Sequence, residues 1–354
     1  MTGSQTGHRR NGESGLVQRV RARLAALPIA GMPVIVVGVS GGIDSLALAG
    51  VLAELDRQKA ARVVAVHVDH RLRPDSGVEQ DHVAEQVRAL GIEFLAERLT
   101  PGVRARYPGV GLEEAARRER FAALARVARL RQADAIALGH HALDQAETVL
   151  LHLMRGTGLH GMSGMAEWSV RPIPWWSEAQ TGDTVESFSI WRPFLSEPRA
   201  ELELYVEALG MVPIFDPSNT SSEYKRNRIR HELLPLIEEI SPGATEALVR
   251  YSQLAAAEDS YLDSVAAALV AAHVDDQGRL EVRDISGIDV VLQRRAIRLW
   301  LQSVFPAGLE IAQERVEAVR ALGLTGQGGS RIQIGSGWQV VRTGGHLRIE
   351  REFE

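Results

Sequence analysis

The sequence predicts an α/β protein: a doubly wound parallel sheet, followed by a mostly helical C-terminal domain that ends in short β-strands. Three features point there. Between Pro33 and Met154, short β-branched runs alternate with amphipathic helical stretches, as in successive βαβ units. The first strand passes into a helix through a Ser-Gly-Gly turn at Ser40–Gly42. Beyond Ser241-Pro242-Gly243, a strong punctuation, come long Ala-rich helices and then a Gly-broken, β-like end.

The elements follow in order. Pro33–Val39 (PVIVVGV) is an apolar run with the composition of a buried strand. A helix starts at Asp44. Strands are expected at Val63–Val68, Ile92–Glu97 and Ala133–Leu138, with helices at Val78–Leu90, Leu112–Leu130 and Leu143–Met154. Ligands of such sheets bind at the carboxyl ends of the strands. The alternation breaks after Arg155-Gly156-Thr157-Gly158. Strand candidates near 170–175 and 188–191 flank Thr181-Gly182-Asp183-Thr184 and predict a hairpin. Helical patterns resume over 198–209 and 223–239, then over 244–272, 288–304 and 310–322, before a β-like 331–351. The expected organisation is a polar tail (1–15), a first domain (16–217), a linker helix with a basic patch (218–242) and a C-terminal domain (243–354).

Composition narrows the function. Hydrophobic residues make up 45% of the 354 and charged residues 24%, enough apolar material for a sizeable core. No apolar run reaches the roughly 18–20 residues of a membrane span, so no membrane partner is expected. The polar N-terminus has no apolar core of a secretory leader, and a cytoplasmic location is expected. There is no cysteine, which excludes disulfides, thiolate metal sites, cysteine nucleophiles and sulfur carried on a protein thiol. Only Lys59 and Lys225 are lysine, which argues against covalent lysine catalysis. A net charge of −5 leaves nucleic-acid binding to local patches.

The sharpest local motif is Val39-Ser40-Gly41-Gly42-Ile43-Asp44-Ser45, between a strand and a helix. Glycines at 41 and 42 allow a tight turn and close approach of a ligand to the backbone. The helix beyond offers unpaired N–H groups and a positive dipole end to an anion, and Ser40 and Ser45 add hydroxyls. Asp44 beside a phosphate cradle repels unless a cation lies between, which suggests Mg²⁺. The plainer alternative is a helix capped by Asp44 or Ser45 after a glycine turn. The motif resembles the PP-loop, Ser-Gly-Gly-x-Asp-Ser, of the N-type ATP pyrophosphatases. That resemblance implies the PP-loop, adenine nucleotide α-hydrolase-like form of the fold. It also implies ATP as substrate, split between the α and β phosphates, with Ser40, Gly41, Gly42, Ile43, Asp44 and Ser45 at the nucleotide.

Four further stretches narrow the family. His67 and Asp69 end the second strand, where polar groups would face a nucleotide. On the 112–130 helix, Glu113/Arg117 and Glu114/Arg118 are spaced i,i+4, and spacing alone favours a salt-bridged surface helix. In Gly139-His140-His141-Ala142-Leu143-Asp144-Gln145-Ala146-Glu147-Thr148, residues His140, Asp144 and Glu147 share one helix face if the helix starts early enough. Three such groups could bind a divalent metal, or the two carboxylates could hold an ammonium. Last, Arg192-Pro193-Phe194-Leu195 and Asp216-Pro217-Ser218-Asn219 precede Tyr224-Lys225-Arg226-Asn227-Arg228-Ile229-Arg230. Its four cations, with no acid among them, suit phosphate binding; a solvated basic helix start is the alternative.

In this order and spacing, over about residues 34–235, these stretches resemble the tRNA(Ile)-lysidine synthetases, in the shorter form without a second large C-terminal domain. Two departures are Phe121 for the usual Tyr and Leu143 for a common Asp. The resemblance implies a carbon–nitrogen ligase. ATP adenylates C2 of the wobble cytidine of the CAU-anticodon isoleucine tRNA, and free L-lysine then displaces AMP. By the same resemblance Arg117 acts in catalysis and His67, Asp69 and His140 lie at ATP. Asp144 and Glu147 are catalytic and bind lysine. Lys225, Arg226, Asn227, Arg228 and Arg230 bind tRNA, the C-terminal domain holds the tRNA body, and a homodimer is compatible with the family. Three other readings compete: a related tRNA thiolase, a nucleotide sensor without turnover, and a metal hydrolase on His140, Asp144 and Glu147.

Overall fold

The computed structural model describes residues 14–69, 76–99, 106–172, 186–214, 225–282, 286–304, 311–335 and 337–351. Most of the expected tail, His70–Arg73 and Asp216–Asn219 lie outside them. In chain order the elements begin α1 (Gly15–Ala25), β1 (Val34–Gly38), α2 (Ile43–Arg57), β2 (Arg62–Asp69), α3 (Ser76–Ala89), β3 (Glu93–Arg98), α4 (Leu112–Leu130), β4 (Ala135–Ala137) and α5 (Ala142–Leu153). A single turn, α6 (Leu159–Met162), leads to β5 (Trp168–Pro172), β6 (Ser187–Trp191) and α7 (Arg199–Ala208). Then come α8 (Lys225–Arg228), a π-helical turn (Ile229–Leu233), α9 (Leu234–Ile240) and α10 (Ala244–His273). The chain closes with β7 (Leu280–Glu281), α11 (Val290–Val304), α12 (Gln313–Thr325), β8 (Arg331–Gly335), β9 (Trp338–Thr343) and β10 (His346–Arg351).

The first sheet has the order β3-β2-β1-β4-β6-β5. All neighbouring pairs are parallel except β5–β6, the expected hairpin. Central strands of a parallel sheet are covered on both faces, so they read as unbroken apolar runs. Alternate residues serve opposite layers. Ile35, Val37, Val63, Ala65, Ala135 and Ala137 pack with α1, α2, α3 and α7. Val36, Val64, Val66 and Ile136 pack with Ala122, Leu124, Ala125 and Ala128 of α4. Each fully buried Leu or Val contributes about 1.5–3 kcal/mol over the exposed state.

Two local features go beyond the sequence pattern. No element is predicted before Pro33, yet α1 buries Leu16, Val17, Val20 and Leu24 in the first layer. One helix is predicted over 223–239, but a π turn interrupts it. Pro235 explains the break. It lacks an N–H, and its ring crowds the carbonyl four residues back, that of His231 inside the π turn.

The chain divides into two compact units, 1–156 with 164–252, and 157–163 with 253–354. The punctuation at Ser241–Gly243 suggests an earlier boundary. Side chains on the first turns of α10 account for the difference. Leu248 packs on Ala146, Leu150, Ile229 and Leu234, and Ser252 Oγ accepts a hydrogen bond from Gln145 Nε2 (3.0 Å). The second unit has its own antiparallel sheet, β7-β10-β9-β8, and a core around Trp300, Leu301, Val316, Val340 and Leu347. Among the described residues no helix is long and apolar enough to cross a membrane.

Leu52 on α2 is fully buried in the first layer. Leu52→Ala is expected to lower the unfolding free energy by about 2–5 kcal/mol. Urea denaturation should show a lower midpoint at unchanged slope; a loss below roughly 1 kcal/mol would mean that α2 is not a core helix.

Candidate active site

β1 and β4 are neighbours, but their connections depart to opposite layers. The chain leaves β1 for α2 in one layer and reaches β4 from α4 in the other. Their carboxyl ends therefore flank a topological switch point. Two loops meet there, Val39–Gly42 after β1 and Leu138–His141 after β4. A Cβ on Gly139 would lie 3.0 Å from the carbonyl oxygen of Asp44, so only glycine lets the second loop touch the first so closely.

The first loop is shaped by its own small residues. Gly41 has φ +89°, and a Cβ there would sit 2.8 Å from both Val83 and Ile214. Ser45 Oγ accepts from the Ser40 amide (3.1 Å) and donates to the Gly42 carbonyl (2.9 Å). His67 Nδ1 lies 2.8 Å from the Val39 carbonyl and buttresses the strand end, with buried Asp69 two residues on along the same side of β2. The α2 cap is Gly42, with no side-chain hydrogen bond, rather than Asp44 or Ser45. No capping side chain therefore competes with an anion for the first-turn amides of α2. Asp44 is partly exposed, but its Oδ1 is buried and has no hydrogen-bond partner. An orphaned carboxylate oxygen beside an anion cradle fits a cation ligand.

The second loop ends in a cap that sequence reasoning missed. His141 is the N-cap of α5: its Nδ1 accepts from the Leu143 amide (3.2 Å), and Asp144 Oδ2 accepts from the His141 amide (3.0 Å). With Nδ1 accepting, a neutral imidazole carries its proton on Nε2. That nitrogen lies 3.6 Å from Asp44 Oδ1 and 3.5 Å from Asp144 Oδ2. His141 thus bridges the acids of two helix N-termini. The only sequence signal is the His-His doublet before a helix.

Because α5 starts at Ala142, His140 lies outside the helix, and the face shared by His140, Asp144 and Glu147 does not form. Among the described residues, the three do not make a metal-ligand cluster; the one grouping that does, His160 with Asp259 and Asp263, is in the second unit. Burial lowers the His140 imidazole to about 4, opposed by Asp144 and reinforced by the charges of Arg192, Arg226 and Arg120.

Asp144 and Glu147, one turn apart, form a buried acid pair; Glu147 is 0% exposed. The patch that charge pattern suggests for phosphate supplies their partners. Arg226 Nε donates to Glu147 Oε2 (2.8 Å), and Arg230 Nη2 donates to Asp144 Oδ1 (2.7 Å) while its Nε donates to Glu147 Oε1. Burial alone would raise the Asp144 carboxyl. The charges of His141, His140 and Arg230 outweigh it and hold Asp144 below the ordinary range. Removing one partner from such a buried pair costs about 3–5 kcal/mol. Lys225 and Arg228 remain exposed, Arg228 clasping Glu232 (2.8 Å), and Asn227 is half-buried. Leu143 joins the apolar cluster of Ala146, Leu150 and Ile229.

Arg117 is not gathered in. It donates to both oxygens of Glu114 (2.6 and 2.9 Å) and lies over the Phe121 ring at 5.6 Å, all on its own helix. The expected Glu114/Arg118 pair forms at 3.0 Å, whereas the Glu113 side chain lies outside the described residues. Arg192 at the end of β6 is buried, and burial lowers it to about 10. Its Nη1 donates to the Ala166 carbonyl (2.9 Å) and to Ser169 Oγ (3.2 Å).

The arrangement combines an anion cradle, a cation-ready carboxylate and a buried acid pair at one strand edge. That set suits nucleotide activation followed by attack of an amine. A PP-loop domain family matches residues 16–237. The tRNA(Ile)-lysidine synthase of Nocardia farcinica is 35% identical over 340 residues, covering 94% of this chain and 96% of that protein. The chain belongs to the tRNA(Ile)-lysidine synthase family. A Rhodococcus erythropolis member is 38% identical, covering 87% of this chain and 85% of its own. Against the Geobacillus kaustophilus member, 33% identical, the chain spans 65% of the relative's length. Among solved structures, the U34-tRNA thiolase NcsA from Methanococcus maripaludis, with its [4Fe-4S] cluster, is similar in fold. Its TM-score is 0.50 at 20% identity, covering 68% of this chain and 78% of that one.

The low His140 value has a stability consequence. Between about 6.5 and 4 the unfolded chain binds a proton that the folded chain refuses, so stability falls as pH drops through that window. His140→Gln is expected to remove a slope that accumulates to on the order of 2–3 kcal/mol, measured by urea unfolding at stepped pH. The same slope in wild type and variant would show that His140 is not the group responsible.

Proposed function

We propose that this chain is a tRNA(Ile)-lysidine synthase acting on the wobble cytidine of the CAU-anticodon isoleucine tRNA. The C2 oxygen of that base attacks the α-phosphorus of ATP. A carbon–oxygen–phosphorus linkage forms, the bond between the α-phosphorus and the bridging oxygen breaks, and pyrophosphate leaves. The ε-amine of free L-lysine then attacks C2, the C2–O bond breaks, AMP leaves, and the amine gives up a proton. The observation that carries the reading is the meeting of the Gly41–Ser45 cradle with the Asp144–Glu147 pair through His141. ATP and lysine are then served at one place.

Roles follow from charge. The backbone amides from Gly41 to Ser45 hold the departing pyrophosphate. Asp44 would hold Mg²⁺, which when bound offsets charge on that leaving group. Ser40, His67, Asp69 and His140 line the nucleotide end; a neutral His140 adds no charge there. Asp144 and Glu147 hold the lysine ammonium and take its proton. Arg117 is the candidate for the α-phosphate, and must leave Glu114 to reach it. Lys225 and Arg228, with Asn227, grip RNA phosphates, joined by Arg226 and Arg230 when those turn outward. A base in an anticodon loop leaves its stack at low cost. The C-terminal unit holds the tRNA body. Thiolase chemistry on protein thiols finds no cysteine in this chain.

Incubation with ATP, Mg²⁺, radiolabelled lysine and a CAU-anticodon isoleucine tRNA transcript should give acid-precipitable label. That label should require ATP and vanish when the wobble C is replaced. Pyrophosphate release without label would mean another nucleophile; no release would favour a nucleotide sensor. Asp44→Ala is expected to cut tRNA-dependent pyrophosphate release on the order of 10²-fold or more with the fold intact. Normal turnover would remove Asp44 from the mechanism.

A further inference from the structure

Arg226 and Arg230 come from the segment whose charge pattern suits phosphate, yet both point onto the acid pair. Two guanidiniums and three short contacts fill the place where an amine would be bound. Glu147 is fully buried, so its carboxylate must keep a cation beside it at every stage. A lysine ammonium can enter only as an arginine leaves. Arg226 is 45% exposed at the side chain and Arg228 65%, so the outer side of the same turns faces solvent with its cations.

Ile229–Leu233 is a π turn, and Pro235 keeps it from closing as α. The arginines therefore leave the acids by turning their own long side chains, and Arg226 already reaches solvent.

We propose that Arg226 and Arg230 form a latch that mimics the substrate ammonium and is released by RNA phosphate, so that tRNA binding opens the lysine site. This rests on the proposed function and deepens it. The acids stay neutralised throughout, first by guanidinium and then by lysine. Water has no unpaired buried carboxylate to enter, and lysine binds the enzyme more weakly without tRNA than with it. Linkage requires reciprocity: lysine must tighten tRNA by the factor by which tRNA tightens lysine.

The test is equilibrium dialysis of radiolabelled L-lysine against the full chain without ATP, with and without the CAU-anticodon isoleucine tRNA transcript. In wild type, tRNA should tighten lysine about tenfold or more. In an R226Q/R230Q variant with an unchanged circular dichroism spectrum, lysine alone should bind about as tightly as it binds wild type with tRNA, and the tRNA effect should be lost. A wild type whose lysine affinity ignores tRNA overturns the latch, as does a folded double variant that binds lysine no better than wild type alone. Should the double variant not fold, the wild-type linkage measured in both directions decides. ATP-dependent label in tRNA with flat linkage overturns the latch alone, whereas no lysine binding in any arm and no label overturns the functional reading.

Discussion

The site depends on one backbone contact, the approach of Gly139 to the Asp44 carbonyl. It joins the two loops that diverge at the β1–β4 switch point. The N-termini of α2 and α5 are thereby aimed at a common region, and each carries a carboxylate in its first turn, Asp44 and Asp144. Helix dipoles favour anions at such ends, so the arrangement both stabilises its own acids and attracts phosphate. His141 links the two by capping one helix and facing the acid of the other. A side chain at 139 would press on the Asp44 backbone and part the two loops.

Around that contact the buried acid pair is matched by two cations although the chain is acidic overall. Asp144 and Glu147 face Arg226 and Arg230. Balance is a necessity, because a buried carboxylate without a partner is more costly than most single core substitutions. The pairing also makes the site exchangeable. A cation of the protein can give way to a cation of the substrate with little change in local charge, which a wholly apolar pocket does not allow.

Residues away from the loops hold this geometry. The carbonyl of Glu197 accepts from the Ala142 amide at the start of α5, and its carboxylate binds Arg19 and Arg23 of α1, each at 2.7 Å. Burial would raise Glu197, but these arginines hold it low. Gln145 donates to the Met165 carbonyl and accepts from the Met165 amide, fixing α5 from its other side. The helix that carries the acid pair is therefore tied at both its start and its flank.

The strands, their order of appearance, the β5–β6 hairpin and the Gly41–Ser45 loop were legible in the sequence. Each rests on local chemistry: β-branched runs buried on two faces, a glycine forced to positive φ, a helix end needing a ligand for its amides. The cradle and the acid pair could be named for the same reason, since a motif carries its own spacing. What tertiary structure alone decided was which charges meet. Spacing suggested that His140, Asp144 and Glu147 share a face if the helix starts early enough, offered Asp44 or Ser45 as a cap of α2 only as the plainer alternative to an anion cradle, and gathered the 225–230 cations into one patch for phosphate. Instead α5 begins two residues too late for His140, Gly42 is the cap, and Arg226 and Arg230 turn inward onto partners some eighty positions away. The physical reason is one of range: propensity and periodicity act over a few residues, whereas a buried carboxylate takes whatever cation the fold brings within hydrogen-bond distance.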